Sequence, residues 1–97
     1  SIEENIAILI YFYSDNCAPC ISLRPKVKQL IEEEYQKMEL VFVNSEKFPL
    51  LPAQYGIFAN PTLVVFFEGK EYKRVSKYVS IPQLSEMIDR TYNMVFD

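Results

Sequence analysis

Runs of apolar residues divide the chain into alternating strand-like and helix-like segments. The run from Ile6 to Tyr13 is continuously β-branched, aliphatic or aromatic, which is typical of a central strand covered on both faces. A second run of this kind spans 62–67, and 39–44 reads as a shorter buried strand. Charged and apolar residues alternate over 71–77, which favours an edge strand that follows a tight hairpin at Glu68-Gly69.

Three other segments have the character of helices. After the first strand, apolar residues recur at helical spacing with charges between them, at Leu23, Val27, Leu30, Ile31 and Met38. Pro25 lies inside this pattern, and because it removes only one backbone bond we expect a kink rather than a break. A short helix is predicted within 47–55, before Gly56.

The last predicted helix begins at an N-cap, Ser80, with Pro82 in its first turn and Gln83 at the capping-box position. Its apolar stripe consists of Ile81, Leu84, Met87, Ile88 and Val95. The predicted order is therefore β-α-β-α-β-β-α. The right-handed crossover rule makes the first two strands parallel. We expect an α/β fold, with a four-stranded mixed sheet and helices on both faces, in a single domain over 1–97.

Composition excludes several classes of protein. The net charge of −3 argues against a nucleic-acid binder, which needs a basic surface. No apolar run approaches the roughly 20 residues that span a bilayer, so no membrane partner is expected. An acidic run at 32–34 lies beside lysines and reads as a solvated helix face. We expect a cytoplasmic monomer without a cofactor or metal, although removal of a segment upstream of Ser1 stays open.

Both cysteines fall in one motif, Cys17-Ala18-Pro19-Cys20, and the chain has no histidine. Disulfide exchange needs a thiolate, and the unpaired N–H groups and dipole at a helix N-terminus favour one at Cys17. Two intervening residues bring Cys20 back one turn later, while Pro19 suits an early helical position. The pattern predicts a redox pair in which Cys17 attacks and Cys20 resolves.

Two other roles are open to the cysteines. Half of a zinc site would need ligands from carboxylates or a second chain, because tetrahedral zinc takes four ligands. A purely structural disulfide would close so small a loop that it would stabilise little. No lysine or arginine lies within five residues of Cys17, so the helix terminus is expected to supply most of the stabilisation of its thiolate.

Four features resemble the thioredoxin superfamily and cover nearly the whole chain. They are the apolar strand leading into Cys17-Ala18-Pro19-Cys20, Pro25 five residues after the second cysteine, Tyr55-Gly56-Ile57 followed by Pro61-Thr62, and the hairpin Phe66-Phe67-Glu68-Gly69-Lys70. The resemblance implies a cis peptide bond between Asn60 and Pro61, with an ordinary trans turn as the alternative. It also implies that substrate contacts Asn60, Pro61, Asn16, Ala18 and Pro19.

Departures from the family pattern bear on the details of the chemistry. Thioredoxins usually have tryptophan, glycine and a branched apolar residue where this chain has Asn16, Ala18 and Asn60. A buried aspartate and its lysine partner correspond to Tyr11 and Phe42. A buried tyrosine cannot serve as a base near neutral pH. The N-terminal strand of full thioredoxins is missing or truncated, and 2–5 reads as a remnant of the first helix.

The resemblance implies a thiol–disulfide oxidoreductase, more specifically a protein-disulfide reductase. Its partners would be disulfide-containing protein substrates and an electron donor like thioredoxin reductase. An exported oxidase or isomerase is one alternative, and a redox-sensing or scaffold module with little turnover is another. Phe58 and Tyr78 either line a substrate groove or are semi-buried packing residues.

Overall fold

A computed structural model describes residues 6–76 and 79–96 of the chain. The order of its elements is the predicted β-α-β-α-β-β-α. These elements are β1 (Ala7–Tyr13), α1 (Ala18–Glu34), β2 (Glu39–Asn44), α2 (Leu50–Gln54), β3 (Thr62–Phe67), β4 (Lys70–Ser76) and α3 (Ile81–Phe96).

The four strands form one mixed sheet in the order β2-β1-β3-β4. The strands β1 and β2 are parallel, with Tyr11 opposite Phe42. The strand β3 is antiparallel to both β1 and β4. Because β1 and β3 are the two inner strands, they are buried along almost their whole length, as their unbroken apolar sequences predict.

Helices cover both faces of the sheet, as expected for an α/β fold of this kind. Side chains of α1 and α3 share one core cluster with alternate residues of β1 and β3, including Val27, Leu84 and Ile88. The other residues of the inner strands pack with Ile57 and with Leu51 of α2. The predicted apolar stripes of α1 and α3 are confirmed, since their members lie in the first cluster or pack against it.

Two expectations about the first half of the fold are wrong in part. Only Val43 and Asn44 of β2 are buried, because β2 is at the edge of the sheet rather than inside it. The helical spacing that included Met38 extends too far, since α1 ends at Glu34. Met38 is buried from the turn that follows the helix.

The local signals for helix ends and turns are mostly confirmed. Pro25 does not break α1, whereas its kink stays a prediction. Gly56 follows the short α2 with a φ of 67°, a backbone conformation that glycine adopts without strain. The Ser80 hydroxyl oxygen accepts a bond from the Gln83 N–H at 3.3 Å, which is the predicted cap of α3.

Some expectations fall outside the described residues, namely the helix remnant at 2–5, the end of the predicted edge strand at Lys77, and Tyr78. Within the described residues, β4 is the predicted edge strand. No helix in that part of the chain is long and apolar enough to cross a membrane.

Candidate active site

The two cysteines lie where β1 gives way to α1. Cys17 is the N-cap of α1, and Cys20 lies in its first turn. They are joined by a disulfide bond, with Cα atoms 5.2 Å apart. The Cys20 N–H donates to the Cys17 Sγ at 3.2 Å, which satisfies one of the backbone donors that a helix N-terminus leaves free. Cys17 is partly exposed, whereas Cys20 is only 1% exposed, so the two sulfurs differ in their access to other molecules.

Hydrogen bonds fix the loop that carries Cys17. The Cys17 N–H donates to the Ser14 carbonyl at 3.3 Å. The Asn44 side-chain amide donates to Asp15 at 3.2 Å, and its carbonyl oxygen accepts from the Glu46 N–H at 2.9 Å. The buried Asn44 therefore ties the end of β2 to the loop before the cysteines.

Of the other residues predicted at the site, three are neighbours of Cys17 in sequence. Asn16 and Ala18 are both exposed beside it. Pro19 is the second residue of α1, the early helical position predicted for it.

The loop before β3 reaches the same end of the inner strands as the cysteines. Phe12 pairs with Thr62 in the sheet, so Pro61 lies beside the end of β1 from which Cys17 follows. The Asn60–Pro61 peptide bond is cis, as the resemblance implies, and the trans alternative is wrong. The Ser45 hydroxyl donates to the Asn60 side-chain oxygen at 3.2 Å. The fold thus brings the two segments that carry the five predicted substrate contacts to the same end of β1 as the cysteines, while their contact with substrate stays a prediction.

Tyr11 lies beneath the first turn of α1 and is fully buried. Its hydroxyl donates to the Cys20 carbonyl oxygen at 2.7 Å. Burial raises the pKa of Tyr11 to about 12, while the charge of Arg24 acts in the opposite direction. Tyr11 therefore remains protonated near neutral pH, as expected, and serves as a hydrogen-bond donor. Nothing in the sequence indicates the bond to Cys20.

Arg24 is a site residue that sequence reasoning missed. Its guanidinium carbon lies 4.1 Å from the centroid of the Tyr13 ring and 5.4 Å from that of Phe42. Arg24 lies outside the five residues on either side of Cys17 in the sequence, because it is about two helical turns further along α1. Its spacing of four from Cys20, which places both on one side of a helix, was the available signal.

Phe58 corrects another expectation. Its ring is 91% exposed, so the semi-buried packing considered for it is wrong. The described residues contain no group of three side chains suited to hold a metal ion.

Comparison with known proteins gives consistent results for sequence and structure. A family model described as "Thioredoxin" matches residues 1–90. "Thioredoxin 1" of Synechococcus elongatus is 29% identical over 89 residues, which cover 92% of this chain and 83% of that protein. "Thioredoxin-2, mitochondrial" of Schizosaccharomyces pombe is 37% identical over 74 residues, which cover 76% of this chain and 55% of that protein.

Solved structures resemble the chain along most of its length. The thioredoxin of Fasciola hepatica matches with a TM-score of 0.80 and 32% identity, over 87% of this chain and 79% of that one. A mutant thioredoxin of Halobacterium salinarum matches with a TM-score of 0.83 and 29% identity, over 93% of this chain and 77% of that one.

Proposed function

Because the chain belongs to the thioredoxin family, we propose that its Cys17–Cys20 pair reduces disulfide bonds in other proteins. The chain is a CxxC thiol–disulfide oxidoreductase, whose two cysteines form a disulfide. We propose in addition the direction of electron transfer, the roles of the two sulfurs and the residues that contact substrate. The observation that carries it is the asymmetry of the pair, with a partly exposed Cys17 at the helix N-cap and Cys20 buried behind it.

In the proposed reaction the reduced pair passes two electrons to a substrate disulfide. The Cys17 thiolate attacks one sulfur of that disulfide, which forms a mixed disulfide and expels the other sulfur as a thiolate. Cys20 then loses its proton and attacks the Cys17 sulfur. This step forms the Cys17–Cys20 disulfide and releases the second substrate thiolate. The substrate ends as two thiols and the protein as a disulfide.

Substrate binding is assigned to the residues that lie with the cysteines at the end of β1. Asn60 and Pro61 would present backbone to an extended segment of the substrate, which can pair with it as an added strand does. Asn16, Ala18 and Pro19 would contact the substrate around the attacked disulfide. The exposed ring of Phe58 lies two residues before Asn60 and extends this surface with an apolar group.

The partners follow from the reaction. Thioredoxins act on proteins with disulfide bonds and are reduced by thioredoxin reductase, so an electron donor of that kind would restore the dithiol here. We propose a single-domain monomer over 1–97. A cytoplasmic location stays a prediction, since relatives include proteins named for mitochondria and chloroplasts.

Insulin reduction tests the proposal. With dithiothreitol as the source of electrons, the chain is expected to accelerate the turbidity that follows release of the insulin B chain. Cys17→Ser is the matched control, since it removes one sulfur atom. Turbidity that rises no faster with the wild type than with this variant would contradict catalysis. It would leave a redox-sensing module as the function, which the replacement of the family's aspartate by Tyr11 favours.

The reduction potential tests the direction. Equilibration with glutathione buffers measures the ratio of dithiol to disulfide in the chain. A reductase is expected to stay oxidised until the buffer is strongly reducing, because it readily gives up electrons. A chain that is already reduced in mildly oxidising buffer would be an oxidase or isomerase instead.

A further inference from the structure

Two aromatic rings hold the cationic group of Arg24 beside the redox centre. Arg24 follows Cys20 by one turn of α1. Its guanidinium carbon is 4.1 Å from the centroid of the Tyr13 ring and 5.4 Å from that of Phe42. These rings in turn pack against Tyr11, with centroids 6.3 and 5.5 Å from its own. The cation is therefore held in one place by ring faces.

No carboxylate neutralises this cation within the described part of the chain. The Arg24 Nε atom is buried and has no hydrogen-bond partner there. The ion pairs found in those residues, Lys28–Glu32 and Arg74–Glu71, do not include Arg24. A carboxylate in contact would cancel much of the field of a cation, whereas a ring face leaves most of it. The charge of Arg24 is thus available to another anion nearby.

The reduced redox centre supplies such an anion. Helical side chains lean toward the N-terminus of their helix, so Arg24 leans back toward the turn that holds the cysteines. The effect of Arg24 on Tyr11 shows that its charge reaches the first turn of α1. Its hydroxyl bonds to the Cys20 carbonyl oxygen at 2.7 Å, and Arg24 lowers the pKa of that hydroxyl against the larger rise from burial. A thiolate on Cys17, whose sulfur lies 3.2 Å from the Cys20 nitrogen, lies beside the same turn.

Other ionisable groups around Cys17 offer less to its thiolate. Tyr11 on β1 is protonated and neutral near pH 7, because burial raises its pKa to about 12. No ionisable side chain occurs over 57–63, which comprises the cis-proline loop and the first two residues of β3. The charged groups of the surrounding elements include Asp15, Lys26, Glu46, Lys47 and the Arg74–Glu71 pair, while Lys28 and the acidic run at 32–34 lie further along α1. Water and salt screen such exposed charges.

We propose that Arg24 is a positioning residue of the redox centre, whose ring-held charge stabilises the Cys17 thiolate and with it the reduced form of the pair. The inference rests on the proposed role of Cys17 as the attacking sulfur. Above the pKa of the thiol, the charge makes the dithiol form more stable relative to the disulfide, so the chain gives up electrons less readily. Below that pKa the sulfur is neutral and the effect disappears.

The test compares the reduced wild-type chain 1–97 with Arg24→Met, Arg24→Lys and Lys26→Met. The rate of alkylation by iodoacetamide is followed against pH, with the labelled cysteine identified by mass mapping. Arg24→Met is expected to raise the thiol pKa of Cys17 by about 0.5–1 unit. Arg24→Lys is expected to stay near the wild type, because it keeps the charge. Lys26→Met removes an exposed charge from the same helix and is expected to shift the pKa less.

Equilibration with glutathione gives a second reading. Above the thiol pKa, Arg24→Met is expected to shift the equilibrium toward the disulfide by about three- to tenfold, and below that pKa it is expected to match the wild type. A purely structural role of Arg24 would not produce this dependence on pH. Arg24→Gln, a neutral and more soluble variant, is measured alongside in case Arg24→Met does not fold.

An unchanged thiol pKa in the neutral variants would overturn the inference. So would a shift in Lys26→Met as large as that in Arg24→Met, because the effect would then belong to overall charge. Neither measurement needs a substrate or turnover. A chain that fails to reduce insulin but shows the expected pKa shift would therefore overturn the proposed reductase and leave the role of Arg24 intact.

Discussion

Each end of α1 is fastened by a tyrosine hydroxyl, but the two ends differ in the charge around it. Tyr11, below the first turn, donates to the Cys20 carbonyl and has the cation of Arg24 nearby. Tyr35, at the C-cap of α1, contacts α3 through Ser85, at 2.9 Å from its hydroxyl oxygen, and through Asp89, at 3.3 Å. The first tyrosine thus lies beside a positive group and the second beside a negative one.

This difference separates the redox end of the molecule from its far end. Burial raises the pKa of both tyrosines, but Arg24 opposes the rise at Tyr11 whereas Asp89 adds to it at Tyr35. An anion such as a thiolate is therefore favoured at the first end and disfavoured at the second. The far end is suited instead to holding α3 against α1, where Tyr92 also packs edge-on to Tyr35 at 4.9 Å. Substitutions at the redox end are expected to affect disulfide exchange, and substitutions at the far end are expected to affect stability.

The largest expected effect is at the cysteines. Cys17→Ser is expected to lower insulin reduction by about a thousandfold or more, because a serine hydroxyl does not replace the thiolate. Cys20→Ser is expected to accumulate mixed disulfides with substrate, which intact-mass measurement detects. In the wild type, limiting iodoacetamide is expected to label Cys17. Preferential labelling of Cys20 would reverse the assigned roles.

At the far end, Ile88→Ala is expected to lower the free energy of unfolding by about 2–5 kcal/mol, because it leaves a cavity where α3 packs on the sheet. Ile88 is fully buried there. Urea unfolding measures the loss. Insulin reduction per folded molecule is expected to stay at the wild-type level under conditions where the variant remains folded. A several-fold fall in that activity would show that the two ends are not separable in function.

Tyr11→Asp is expected to change both the rate of disulfide exchange and the stability of the fold. By resemblance, the family's aspartate at this position helps to remove the proton of the second cysteine. Its return should accelerate breakdown of a mixed disulfide by roughly three- to tenfold near neutral pH, while a buried carboxyl group in place of a packed ring lowers stability. Stopped-flow resolution of a preformed mixed disulfide over pH 6–9 measures the rates. Superimposable profiles would leave Tyr11 as a packing residue.

Most of the fold was predictable because its strongest signals are local. The unbroken apolar runs of β1 and β3 identify strands buried on both faces, and the cap at Ser80 marks where α3 begins. The burial of β2 was not predictable from its own residues. Its apolar sequence resembles that of an inner strand, and its exposure follows from the order of strands in the sheet, which no single segment encodes.

The redox pair was predictable from its motif, whereas its surroundings were not. Cys17 and Cys20 are close in sequence, so their spacing alone places both at the start of a helix. The position of Arg24 depends on contacts with Tyr13 on β1 and Phe42 on β2, and these arise only when the helix packs against the sheet. The exposure of Phe58 was mispredicted because a large aromatic residue is usually at least half buried.

Replacing each tyrosine by phenylalanine compares the two hydroxyl groups directly. Tyr11→Phe and Tyr35→Phe are each expected to lower the free energy of unfolding at pH 7 by about 1 kcal/mol, the usual value of one hydrogen bond. Only Tyr11→Phe is expected to change the rates of disulfide exchange, because only Tyr11 contacts the residue that carries a redox sulfur. A change in those rates with Tyr35→Phe would contradict the separation of the two ends.

Alkaline pH distinguishes the tyrosines further. Folding raises the pKa of Tyr11 from 10.0 to about 12, so its neutral form is favoured in the folded state. This preference contributes roughly 2–3 kcal/mol to the free energy of unfolding. The contribution is fully present below pH 10 and is lost as the pH rises toward 12. Urea unfolding at a series of pH values is expected to show this slope in the wild type and a flatter one in Tyr11→Phe. Equal slopes would contradict the shift.

The smallest expected effect concerns one exposed apolar side chain at each end. Phe58 is 91% exposed beside the cis-proline loop, and Met94 is 74% exposed on α3. If the substrate covers the ring of Phe58, Phe58→Ser removes apolar contact area and is expected to raise the KM for insulin about two- to fourfold, with kcat unchanged. Met94→Ser is the matched control, expected to leave both constants unchanged.

The result for Phe58 also bears on where substrates bind. Since neither side chain is packed in the core, both variants are expected to unfold at the wild-type urea concentration, which separates a binding effect from a loss of stability. Equal KM values for Phe58→Ser and the wild type would remove Phe58 from the proposed substrate surface. A rise in KM with Met94→Ser would place substrate contacts at the far end of the molecule. It would contradict the functional separation of the two ends of α1.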